Sequence, residues 1–309
     1  MLGRYPVFIP KLLPREEYFV SGRRSCKGCG KALAVRMICK IAGKDVISSH
    51  YSEGSSFLSS YGQAGVGLAW DELLSGDLTA SLIDRVIAEN KKVSKERAVR
   101  KFIKKAIIGI DRRVFIKDPL ALTEMLKEQK EVLYICYDSE MYMEEIIRRS
   151  LASPDDHGEC RPLKKDEVEK FIQNKNIPSQ VRGCDITYIA TSCPSFPLDL
   201  MEKIKKGLRV SGTAFISVLT PCPTAWLFKP DQTAHLGFLA VNTGFYPLFE
   251  VEAGRLRVTK RVSPLHPLTE YIKAQQRYIT FPPEQLSLIQ ETVKEEYERL
   301  QASTEWKGR

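Results

Sequence analysis

No stretch of 18 or more consecutive apolar residues occurs anywhere in the 309-residue sequence, so the usual signature of a membrane-spanning helix is missing. Met1 to Arg15 lacks the basic, apolar and small-residue zones of a secretion signal. Together these absences predict a cytoplasmic protein without a membrane partner. Neither an internal repeat nor a low-complexity linker breaks the chain. Its one Cys-x-x-Cys has no second copy, which counts against a four-cysteine zinc ribbon. No nucleic-acid recognition motif accompanies its positive charge, so nucleic acid is not an expected partner.

What is present is ordinary in bulk: 43% apolar and 28% charged residues, the balance of a globular chain that buries a substantial core. The net charge of +9 suits a basic docking face for an acidic partner as well as it suits nucleic acid. Much of the excess is local. Lys91, Lys92, Lys95, Arg97, Arg100, Lys101, Lys104 and Lys105 are opposed there only by Glu96, and such blocks are commonly solvated surface. In a cytoplasmic setting the eight cysteines, at 26, 29, 39, 136, 160, 184, 193 and 222, read as thiols or metal ligands rather than a disulfide framework.

The periodicities point to an α/β protein. Ala32, Val35, Ile38, Cys39 and Ala42 form the apolar face of a helix that Gly43 ends. Asp45 to Ile47 reads as a short strand, and the Gly- and Ser-rich segment from Ser52 to Gly67 as a long loop. Leu78–Ile87 and Pro119–Gln129 have helical period. Ala106–Asp111 and Val132–Asp138 are continuous apolar runs that end in an acid, as buried parallel strands do. A strand (Ile186–Ala190), a helix (Pro197–Leu208) and a strand (Ala214–Leu219) follow. The repeated strand–helix–strand order predicts a doubly wound, mainly parallel sheet, with ligands at the carboxyl ends of its strands. Asp111, Asp138 and Cys222 then share an edge. Phe249–Val258 reads as a hairpin and Pro283–Leu300 as a closing helix. The simplest division is an α/β domain over 1–225 and a C-terminal extension over 226–309 that packs on it.

Cys26-Lys27-Gly28-Cys29-Gly30 carries the chemistry. Its glycines let the backbone curl so that both sulfurs and several N–H groups face one point, as iron–sulfur and zinc loops require. The residues alone leave a thioredoxin-type redox pair and a pair of structural cysteines open as well.

Gly22-Arg23-Arg24-Ser25-Cys26-Lys27-Gly28-Cys29-Gly30-Lys31-Ala32-Leu33-Ala34-Val35-Arg36 resembles the GHRAC-x-GCG-x-ALAVR opening of the β subunits of pyruvate:ferredoxin oxidoreductases. Leu133 to Met143 is similar to that family's YICYDNEAYM, and Pro221-Cys222-Pro223-Thr224-Ala225-Trp226 to its PCPTGW. The three motifs stand in family order, and the resemblance covers roughly residues 18 to 280.

The resemblance implies a thiamine-diphosphate-binding type of α/β domain. It also implies that Cys26, Cys29 and Cys222 are three of the four ligands of a [4Fe–4S] cluster. The fourth is expected about 25 residues past Cys29, where Tyr51 to Ser56 holds no cysteine. His50, Cys39, Cys193 or an external ligand are the alternatives, although Cys39 falls within the helical period and reads as a packed core thiol.

For the Mg²⁺ of thiamine diphosphate the resemblance implies Asp111, Ser139 and the Met141 carbonyl, since the two side-chain ligands lie about 28 residues apart in the family. Departures surround them. Ile110 and Arg112 replace two glycines, and Glu144-Glu145-Ile146 replaces Asn-Thr-Gly. A glutamate facing a diphosphate adds like-charge repulsion unless a cation neutralises it. Arg112 reads either as a phosphate-binding guanidinium or as a surface arginine after a strand.

The implied function is one subunit of a complex that oxidises a pyruvate-like 2-oxoacid with coenzyme A. An α-type partner completes the site and a ferredoxin-like subunit takes the electrons. The departures raise a rival reading: a degenerate subunit, without thiamine diphosphate, kept for assembly or for relaying electrons.

Overall fold

The computed structural model describes residues 14–17, 26–43, 47–52, 55–60, 106–112, 123, 126, 131–140, 164–175, 181, 184–278 and 283–304. In chain order, α1 (Gly30–Ala42) is followed by β1 (Ile47–Ser52), β2 (Ser55–Ser60), β3 (Ala106–Asp111) and β4 (Val132–Asp138). Then come α2 (Lys165–Lys175), β5 (Ile186–Ser192), α3 (Pro197–Arg209), β6 (Thr213–Leu219) and the single turn α4 (Pro223–Trp226). The chain closes with α5 (Thr233–Asn242), β7 (Phe249–Glu252), β8 (Arg255–Val258), α6 (Leu268–Lys273) and α7 (Pro283–Ala302).

The described strands form one eight-stranded sheet in the order β2-β1-β3-β4-β6-β5-β7-β8. Neighbours from β1 to β5 run parallel, while β2, β7 and β8 add antiparallel edges. This is the mainly parallel architecture that the apolar runs predict. β4 and β6 are buried at every position, because both of their faces are covered. Leu133, Ile135 and Tyr137 share one face with Ala214, Ile216 and Val218, against α1 and α3. Tyr134, Cys136 and Phe215 point the other way, with Ile108 and Ile110. The two-residue alternation thus separates two cores on either side of one sheet. No described helix is long and apolar enough to cross a membrane.

Helix α1 ends where the sequence predicts, at Gly43 with φ of 74°. Its buried face is wider than expected and takes in Ala34, Met37 and Ile41. The long loop expected from Ser52 needs correction over Ser55–Ser60, which is strand β2 paired with β1, Ser52 opposite Ser55. Ser has little intrinsic preference for strands, and the ladder with β1 overrides it. Residues 61–67, the basic run from Lys91 to Lys105, Leu78–Ile87 and most of Pro119–Gln129 lie outside the described residues.

β7 pairs with β5 and is locked by charge. The buried Glu250 carboxylate accepts from Tyr188 Oη (2.8 Å), Lys206 Nζ (2.9 Å) and Arg257 Nε (2.9 Å). Burial pushes its pKa up, but the hydrogen bonds from Lys206, Tyr188 and Arg257 outweigh it and hold the carboxyl below its ordinary range. The Lys203 ammonium is buried too, and it donates to the Thr191 carbonyl, Asp199 and Thr259. The hairpin is thereby fastened to α3 and β5.

Candidate functional site

Because β3, β4 and β6 are adjacent and parallel, their carboxyl ends bring three short segments to one edge: Asp111-Arg112, Asp138-Ser139-Glu140 and Thr220-Pro221-Cys222. Asp138 pairs with Leu219, and the Thr220 N–H donates to the Asp138 carbonyl at 2.7 Å. The shared edge expected for Asp111, Asp138 and Cys222 is present.

The cysteine loop is seated on this edge. The Cys29 N–H donates to the Cys26 carbonyl at 3.2 Å, closing a turn in which Gly28 has φ of 70°. Cys29 caps α1, its Sγ accepting from Ala32 N at 3.5 Å. Gly30 N then donates to the Pro221 carbonyl at 3.1 Å, and Thr233 Oγ1 donates to the Gly28 carbonyl. The contact is close enough to require glycine. A Cβ on Gly30 would lie 2.5 Å from the Pro221 oxygen, and one on Gly28 would overlap the Pro230 carbonyl. The Cys26–Gly30 loop and the segment after β6 are therefore one structural unit.

Within it, Cys26 is exposed while Cys29 and Cys222 are half-buried. Burial pushes the Cys29 thiol up, against the lowering effect of the Ala32 and Lys31 N–H groups, and the neighbouring Cys222 adds to the rise. A bound cation reverses that preference, because coordination removes the proton that burial retains. Among the described residues no three His, Cys, Asp or Glu side chains are drawn together as around a single ion. A cluster asks for something different, one thiolate for each iron, with sulfurs spread around it. Soft thiolates on a Gly-rich helix N-terminus fit that donor set.

The alternatives for a fourth ligand lie on α1, after β5 and in β1. Cys39 is packed in the face of α1, as its helical period predicts. Cys193 is buried and its thiol pushed up to about 11 by that burial. His50 lies in β1, opposite Phe57 and Gly109.

Asp111, Arg112 and Ser139, expected around a diphosphate, each have a partner within the protein. Asp111 is buried, with Lys31 Nζ at 3.4 Å, and that ammonium also lies 5.4 Å from the centroid of the Tyr137 ring. Arg112 is buried rather than on the surface, and its guanidinium is paired with Asp138. Burial raises the Asp138 pKa, opposed by Arg112. The Ser139 carbonyl accepts from Trp226 Nε1 at 2.6 Å. Asp111 and Asp138 thus each have a protein cation beside them at the strand ends. Met141 and Glu144 lie outside the described residues.

A buried cluster joins the two turns. Glu140, in the left-handed region at φ of 49°, accepts from Tyr271 Oη (2.8 Å) and Arg277 (3.1 Å). Arg277 also donates to the Glu140 carbonyl at 3.0 Å and stacks 4.3 Å from the centroid of the Trp226 ring. Sequence reasoning missed Lys31, Glu140 and Arg277 as site residues. Glu140 and Trp226 stand within the two family-like motifs, but nothing local marks Arg277.

The site is thus a CxGCG loop seated on a Pro-Cys-Pro turn at the strand ends of an α/β sheet. No protein-family profile matches the chain. Relatives do. It is 34% identical over 297 residues to the pyruvate synthase subunit PorB of Methanocaldococcus jannaschii, covering 91% of this chain and 96% of that one. It is 29% identical to the ketoisovalerate oxidoreductase subunit VorB of Pyrococcus furiosus, over 95% of both. A solved 2-oxoglutarate:ferredoxin oxidoreductase from Magnetococcus marinus shares 15% identity at a TM-score of 0.40, over 70% of this chain and 68% of that one. The chain belongs to the PorB family, the β subunits of 2-oxoacid:ferredoxin oxidoreductases.

Proposed function

We propose that this β subunit passes electrons, taken from the oxidation of a pyruvate-like 2-oxoacid with coenzyme A, through an iron–sulfur cluster held by Cys26, Cys29 and Cys222. An α-type subunit and a ferredoxin-like subunit complete the complex in the cytoplasm. The observation that carries this reading is the seating of the Cys26–Gly30 loop on Pro221 and Pro230, close enough that only glycine fits at 28 and 30. That seating brings two half-buried thiols together where the strands end.

The test is iron and acid-labile sulfide content, with a visible spectrum, on anaerobically purified protein. The wild type is expected to carry the broad thiolate-to-iron absorption near ~400 nm, and Cys26→Ser to lose it. Colourless wild-type protein that resists anaerobic reconstitution sinks the reading.

The two edge ion pairs, Lys31–Asp111 and Arg112–Asp138, support a second reading for the thiamine diphosphate position. On this reading protein cations stand where the family's divalent metal is expected, and the subunit serves as relay and scaffold without that cofactor. Calorimetric titration of the complex with thiamine diphosphate, with and without Mg²⁺, is expected to give no Mg²⁺-dependent binding. Tight, Mg²⁺-dependent binding restores Asp111 and Ser139 as metal ligands.

A further inference from the structure

We infer that the Thr220 hydroxyl is a hydrogen-bond donor to the sulfur group held between Cys29 and Cys222, and that it raises the reduction potential of that group. The inference rests on the cluster reading above. Thr220 is 1% exposed, and its Oγ1 has no hydrogen-bond partner among the described residues. A buried hydroxyl without a partner is unusual enough to call for one, because its desolvation goes uncompensated.

Position identifies the partner. The Thr220 N–H continues the β6–β4 ladder by donating to Asp138, so the strand's alternation carries on through this residue. Thr220 then shares a face with Ala214, Ile216 and Val218, the face that α1 covers. At that level α1 begins. A Cβ on Gly30 would lie 2.9 Å from the Thr220 carbonyl carbon, and Cys29 is the N-cap. Cys222 is two residues further along. The residue that carries the hydroxyl is therefore packed at the first turn of α1, beside the N-cap Cys29 and two residues before Cys222. Valine has the same shape and would satisfy an apolar wall, so the extra oxygen is explained by an acceptor that arrives with the group. Thiolate or sulfide is such an acceptor, and its demand grows when an electron adds negative charge. Hydrogen bonds to sulfur are among the factors that set cluster potentials.

The experiment compares wild type, Thr220→Val and Thr220→Ser, purified anaerobically. Iron content is measured first and then the midpoint potential, by redox titration followed by electron paramagnetic resonance. Thr220→Val is expected to keep its iron and shift to a more negative midpoint. Thr220→Ser, which keeps the hydroxyl, is expected to return the wild-type midpoint. An unchanged midpoint in iron-loaded Thr220→Val, or an equal shift in both variants, overturns the inference and leaves the cluster reading standing. Wild-type protein without iron overturns the cluster reading itself, and the inference with it.

Discussion

Arg277→Met is expected to cost the folded chain about 3–5 kcal/mol, the range found when one partner of a buried ion pair is removed. Glu140 is fully buried and Arg277 nearly so, with side-chain exposures of 0% and 3%. The substitution strands a carboxylate that cannot return to water. It also removes the donors to the Glu140 carbonyl and to Gln275 Oε1, and the cation stacked on Trp226. Methionine fills much of the volume, so a cavity contributes little. The measurement is the urea midpoint of the purified chain. Glu140→Gln combined with Arg277→Met is expected to recover part of the loss, because both members of the pair are then neutral. A single-variant loss below about 1 kcal/mol, typical of exposed pairs, contradicts the buried role of the pair.

The second large effect concerns iron rather than stability. Gly30→Ala is expected to remove most of the bound iron while costing about 1–3 kcal/mol, the usual range for overpacking. The added methyl meets backbone of Pro221 and Thr220, and backbone cannot swing aside as a flexible side chain does. The cysteine loop must lift from the segment that carries Cys222, separating Cys29 from it. Iron content and circular dichroism on the same preparation separate this outcome from unfolding. Full iron with a native spectrum argues that the cysteines act independently of the seating.

Much of the fold was legible. Val132–Asp138 is predicted with the bounds it has, and Pro197–Leu208 and Ala214–Leu219 to within a residue, because continuous apolar runs and a 3.6-residue period are local signals. β2 was not legible, since Ser-rich strands are stabilised by their ladder rather than by their own side chains. Arg112 shows the same limit at the site. Its local sequence offers a surface arginine or a phosphate ligand, and its burial against Asp138 depends on a strand 26 positions away.

The sequence by itself determined the sheet class, the shared edge of Asp111, Asp138 and Cys222, and the cysteine motifs that mark the family, because short-range periodicity and spacing encode each of them. Only the tertiary structure decided which charges meet. Lys31 reaches Asp111 across 80 positions and Arg277 reaches Glu140 across 137. Burial makes those pairings compulsory: a charge taken from water must find its opposite in whatever segment the packed core places beside it.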